Sequence, residues 1–85
     1  SFADLRARID KTIALLGTID AASIDGSEAR EIHLNPGTPR ERKFAGQTYL
    51  MHYSLPNFFF HVTTAYNILR HNGVDLGKKD FMGAL

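Results

Sequence analysis

Phe2, Leu5, Ile9, Ile13 and Leu16 recur at three- and four-residue spacing, with Asp4, Arg6, Arg8, Asp10 and Lys11 between them. That period predicts an amphipathic helix over about residues 2–18. Ser1 and Asp4 stand in a capping-box relation, and Gly17 is the natural stop. Asp20 is placed to cap a short turn through Ala21 to Ile24, and Asp25-Gly26-Ser27 is turn chemistry. From Glu31 the period falls to two, so Ile32 and Leu34 share one face of a strand. Asn35-Pro36-Gly37-Thr38-Pro39 can reverse the chain, and Arg40 to Ala45 returns as a mostly charged, exposed partner strand. A hairpin over about residues 30–45 results. A lone hairpin is marginal in water, so it must lie against a helix.

A second long helix is predicted over about residues 48–72, ended by Gly73, with Arg70 and His71 suiting the negative end of its dipole. Pro56 lies inside it, removes a backbone donor and clashes with the carbonyl of His52, so a kink or break is expected there. Leu55, Phe58, Phe59, Phe60 and Val62 leave almost no polar side after the proline. Such a helix wants neighbours on several sides, and this chain offers one other long helix and a hairpin. The sequence is short of partners for its own core.

Charge sharpens that reading. Residues 1–43 carry seven basic and seven acidic side chains, whereas residues 44–69 carry none, together with seven of the nine aromatics. A membrane span is excluded, because Gln47, Thr48, His52, Ser54, Pro56, Asn57, His61 and Asn67 interrupt the stretch. The segment reads as a buried helix of a soluble, cytoplasmic protein. With 85 residues the chain makes one small domain with a thin core. A net charge of +1 and a pI near 8.1 argue against a nucleic-acid binder. The absence of cysteine excludes disulfides, thiol nucleophiles and cysteine-based metal sites. The first residue is Ser1 with a helix starting at once, which points to a cropped or processed chain. Arg40, Glu41, Arg42 and Lys43 read as a mixed-charge solvated edge.

Three runs carry a resemblance. Leu55-Pro56-Asn57-Phe58-Phe59-Phe60-His61-Val62-Thr63-Thr64-Ala65-Tyr66, then Ile68 to Val74, then Leu76 to Phe81, resemble the C-terminal signature of an uncharacterised bacterial family in the DinB/YfiT-like superfamily. The Phe44 to Tyr49 run and the preceding hairpin fit it too. The resemblance implies a mainly α fold: two long antiparallel helices plus a β-hairpin, half of a DinB-like four-helix bundle. The partners it implies are the missing N-terminal helices or a second copy, as a homodimer.

Metal-binding members of that superfamily use a His-x-x-x-His pair on the last helix, since residues four apart share a face and can hold one ion with a third ligand from a facing helix. Here the matching positions are Asn57 and His61. His61 keeps one ligand position, while Asn57 is a poor ligand for zinc or nickel. The other reading of His61 is a buried core histidine, hydrogen-bonded among Phe58, Val62 and Ala65. Ligand-pocket candidates are Asn57, His61, Thr64 and His52. Two functions follow. One is a helical-bundle protein acting through self-association or small-ligand binding, with no cofactor. The alternative is a metal-dependent thiol transferase or hydrolase using His61 with zinc or nickel.

Overall fold

A computed structural model describes residues 1–84 of the chain, leaving Leu85, the end of the tail expected over 73–85, outside the described residues. The element order is α1 (Phe2–Gly17), a 3-10 turn (Ala21–Ser23), β1 (Glu31–Leu34), β2 (Arg42–Ala45), α2 (Gly46–Thr48), a π-helical segment (Tyr49–Ser54), α3 (Leu55–His71) and α4 (Lys78–Met82). The chain is mainly helical with one two-stranded antiparallel hairpin.

Local chemistry explains the element ends. The Ser1 hydroxyl accepts from the Asp4 amide at 3.2 Å and donates to the Asp4 carboxylate at 2.7 Å, which starts α1. Gly17 is its last residue and Thr18 its cap. Asp20 precedes the 3-10 turn without a side-chain cap; the Ser23 hydroxyl instead donates to the Asp20 carbonyl at 2.6 Å. At the other end of the molecule α3 stops in a Schellman arrangement. Gly73 takes φ +90°, its amide donates to the Arg70 carbonyl at 3.0 Å, and the Val74 amide donates to the Leu69 carbonyl at 3.1 Å.

The hairpin pairs Glu31 with Ala45, Ile32 with Phe44, His33 with Lys43 and Leu34 with Arg42. Asn35, at φ +49°, begins the reversal. The Glu41 amide donates to the Thr38 carbonyl at 3.0 Å and closes it. Register places Ile32, Leu34 and Phe44 on one face, and these are the half-buried members of the two strands. Phe44 meets Tyr49 at 6.0 Å and Tyr53 at 5.6 Å between ring centroids, so the hairpin leans on the start of the long helix. Gly46 makes the approach close: an added Cβ would sit 2.2 Å from the Ser27 carbonyl oxygen. The Gln47 amide donates to the Glu28 carbonyl at 2.9 Å across the same junction.

Pro56 distorts the helix without breaking it. Helical backbone continues from Gly46 to His71, but residues Tyr49–Ser54 widen into π geometry just before the proline. The Leu55 amide reaches the Leu50 carbonyl, five residues back. One extra residue per turn moves the carbonyls that the proline ring would strike, and Pro56 then falls in the first turn of α3, where its missing N–H costs little.

Burial departs from the sequence reading. Among the described residues none is buried, and Phe58, Phe59 and Phe60 are 59%, 50% and 66% exposed. The 44–69 stretch is therefore not a buried helix in this chain. The reason is geometric: every residue of α1 is exposed, so its apolar stripe covers nothing. The radius of gyration is 16.7 Å, against about 12 Å for a compact domain of this length. Among the described residues no helix is long and apolar enough to cross a membrane.

Candidate functional site

Two surfaces hold the chemistry of this chain. The first is apolar. Phe2, Leu5, Ile9, Ile13 and Leu16 fall within about 80° of arc on α1 at 100° per residue, and each is more than half exposed. On α3, Phe58 and Leu69 lie on one face with Val62 and Leu55, the last two half-buried. Charged side chains surround the α1 stripe, whereas none interrupts α3 before Arg70. An α1 stripe of this width suits contact on one side, and α3 suits contact on several.

Asn57, His61 and Thr64 sit at i, i+4 and i+7 of α3, within about 60° of arc beside that apolar face. The structure thus brings three of the four ligand-pocket candidates onto one stripe. His52 lies apart, in the π-helical segment. All four are exposed. His61 meets the Phe60 ring edge-on at 5.6 Å and has no hydrogen-bond partner among the described residues. The expected hydrogen-bonded core histidine is therefore not found, because nothing packs over that side of α3. Five surface cavities are lined by α1, the hairpin and its flanks, and include none of the four candidates.

The donor set does not fit zinc or nickel. Among the described residues no three of His, Cys, Asp and Glu are grouped closely enough to hold a metal ion. Asn57 and His61 together offer one imidazole, where catalytic zinc takes three protein ligands.

The second surface is polar and belongs to the hairpin. Its outer face carries Glu31, His33 and Lys43, and the Glu41 carboxylate reaches the same side. His33 contacts the Glu31 carboxylate through Nε2, and its Nδ1 lies 3.6 Å from Glu41. Glu41 also accepts from the Gly37 amide at 3.0 Å and lies 3.9 Å from the Lys43 ammonium. The opposite side, toward the helix, opens a cavity of about 480 Å³ lined by Leu34, Asn35, Pro39, Arg40, Glu41, Arg42 and Tyr53. The strand read as a mixed-charge edge is exposed, but its charges are sorted by face. The two-residue alternation of Arg40 and Arg42 against Glu41 and Lys43 was the available signal.

Tyr66 is the other residue that sequence pattern did not single out. Its hydroxyl donates to the Gly77 carbonyl at 3.0 Å, and its ring meets Phe81 edge-on at 5.4 Å. The start of α4 and its Phe81 are thereby tied to α3, in a segment expected to be a tail. Partial burial, with the Asp80 carboxylate adding to it, pushes the Tyr66 phenol above the usual tyrosine range, against a smaller opposing effect of Arg70.

These features define a mainly helical domain with an appended hairpin, apolar helix faces open to solvent, and no metal-ligand cluster among the described residues. Residues 1–82 match the family described as Domain of unknown function (DUF1993), and the chain belongs to that family. No curated protein and no solved structure matches it.

Proposed function

We propose that this domain acts by association: α1 and the helix from Gly46 to His71 are half of a DinB-like four-helix bundle, and a second copy supplies the other two long helices. One observation carries this reading. The chain exposes 7793 Å², whereas a folded monomer of 9.5 kDa exposes about 5,000 Å². The surplus is about 2,700 Å² per chain, which two copies covering one another would bring into the range of obligate dimer interfaces. A two-fold pairing is the commonest closed arrangement, and it sets α1 of each copy against the uncharged helix of the other. Burying residues 44–69 desolvates no charged side chain, so the helix is suited to the centre of such a bundle.

Sedimentation equilibrium on residues 1–85 at micromolar concentration tests the reading. A dimer that Leu5→Glu and Ile9→Glu dissociate supports it. A compact wild-type monomer overturns it, as does displacement of the second copy by helices of the same polypeptide lying outside these residues.

A further inference from the structure

The cavity between the hairpin and the long helix has a charge pattern that solvation alone does not require. Leu34 and Arg42 are cross-strand partners on the face that carries Ile32 and Phe44, and Arg40 lies two residues before Arg42 at the turn. Glu41 also lines this cavity, but each carboxylate of the hairpin has contacts other than these two arginines. Glu31 meets His33, and Glu41 is shared among the Gly37 amide, His33 and Lys43. Neither Arg40 nor Arg42 has a carboxylate within 4.0 Å among the described residues, although both line the same cavity. Tyr53, also in the wall, is held by stacking on Tyr49 at 5.6 Å and by Phe44 at 5.6 Å. Its hydroxyl has no hydrogen-bond partner among the described residues. Asn35 lines the cavity as well.

Arg40, Arg42, Tyr53 and Asn35, whose side chains have no acceptor among the described residues, line about 480 Å³. They do so together with Glu41, whose carboxylate is shared among Gly37, His33 and Lys43, and the size is within the range of small-molecule sites. Guanidinium forks match planar or tetrahedral oxyanions and bind them through paired hydrogen bonds. We propose that this cavity binds the oxyanion group of a small molecule, a phosphate or a carboxylate, with Arg40 and Arg42 carrying the charge and Tyr53 donating a further hydrogen bond. The ring stack that fixes Tyr53 also joins hairpin to helix, so occupancy of the cavity braces that junction. The site lies apart from the α1 stripe and does not depend on the proposed pairing.

The test is a titration of the intact chain with inorganic phosphate and, separately, with succinate, followed by amide chemical shifts of residues 34–42 and 53. Saturable shifts with either anion support the site, and the tighter of the two identifies the oxyanion class. Arg42→Gln should weaken binding by about tenfold or more, the worth of a charge-assisted hydrogen bond. Tyr53→Phe, which keeps the ring stack, should weaken it by less. Lys43→Gln on the outer face is the control. Equal weakening by Lys43→Gln, or shifts that stay linear in anion concentration, would overturn the proposal in favour of diffuse attraction to a basic surface. Unchanged dispersion of the Phe44 and Tyr49 resonances shows that each variant keeps the fold.

Discussion

The Tyr66 hydroxyl donates to the Gly77 carbonyl at 3.0 Å, eleven residues along the chain, and so fastens the segment after Gly73 back onto α3. Tyr66→Phe removes that bond while keeping the edge-on ring contact to Phe81. A loss of about 0.5–1.5 kcal/mol is expected, confined to α4. Faster amide exchange at residues 78–82 with unchanged exchange in α3 is the checking measurement.

The same phenol makes a pH prediction. Its ionisation lies above the ordinary value near 10.0, so the folded chain favours the protonated form. The stability that this contributes is complete below the ordinary tyrosine range and is lost as pH rises through the folded-state value. Ultraviolet titration of phenolate should show a late-ionising component that Tyr66→Phe removes.

Gly46 admits no side chain. A Cβ there meets the Ser27 carbonyl oxygen at 2.2 Å and its carbon at 3.2 Å, both backbone atoms, so the 24–28 turn must move away. Gly46→Ala should destabilise by about 1–3 kcal/mol through overpacking. Gly17→Ala is the opposite case: nothing lies within 4 Å of its added Cβ, and helix propensity favours alanine by about 0.5–1 kcal/mol. Urea midpoints that move in opposite directions for the two variants are the expected result.

The π turn ends two residues before Pro56. Pro56→Ala restores an N–H donor and removes the ring clash, which should let residues 49–54 tighten toward α geometry. Tightening by one residue turns Tyr49 and Tyr53 by about 100° relative to α3, away from Phe44. Loss of the Phe44–Tyr53 nuclear Overhauser contacts, with helical circular dichroism increased, would record it. Persistence of those contacts would show that the aromatic cluster, and not the proline, sets the π turn.

Asn57 is the residue that separates this chain from a two-histidine helix face. Asn57→His would place two imidazoles one turn apart beside exposed space on α3. Calorimetric titration with nickel should show binding by that variant that is weaker or absent in the wild-type chain. His61→Ala should remove it. In the unpaired chain His61→Ala itself should change stability by no more than about 0.5 kcal/mol, because the side chain is exposed.

Element ends were legible because capping residues act locally. Ser1 with Asp4, Gly17 and Gly73 each mark an observed boundary, and the alternation at Glu31 to Leu34 marks β1. The π turn was not legible. In a stretch that is apolar nearly all round, periodicity cannot report phase, so Pro56 gave the place of the distortion but not its form. α4 escaped notice for another reason: a five-residue helix has little stability of its own, and this one is held by Tyr66 and Phe81 from a distance. The exposure of Phe58 to Phe60 within the single chain was not legible, because a hydrophobic pattern says which residues avoid water, not what covers them. At the candidate site, the shared stripe of Asn57, His61 and Thr64 follows from helical spacing. The arginine cavity needed the register of the hairpin and the position of Tyr53.

The surplus of exposed surface has a thermodynamic corollary. Under the proposed pairing, the folded helices and the second copy belong to a single equilibrium, so the free energy of unfolding includes the concentration of the chain itself. Each tenfold dilution then withdraws about 1.4 kcal/mol from the dimer, and the melting temperature falls with it. For such a domain, how much of it the cell makes is as much a determinant of its fold as any side chain on α1.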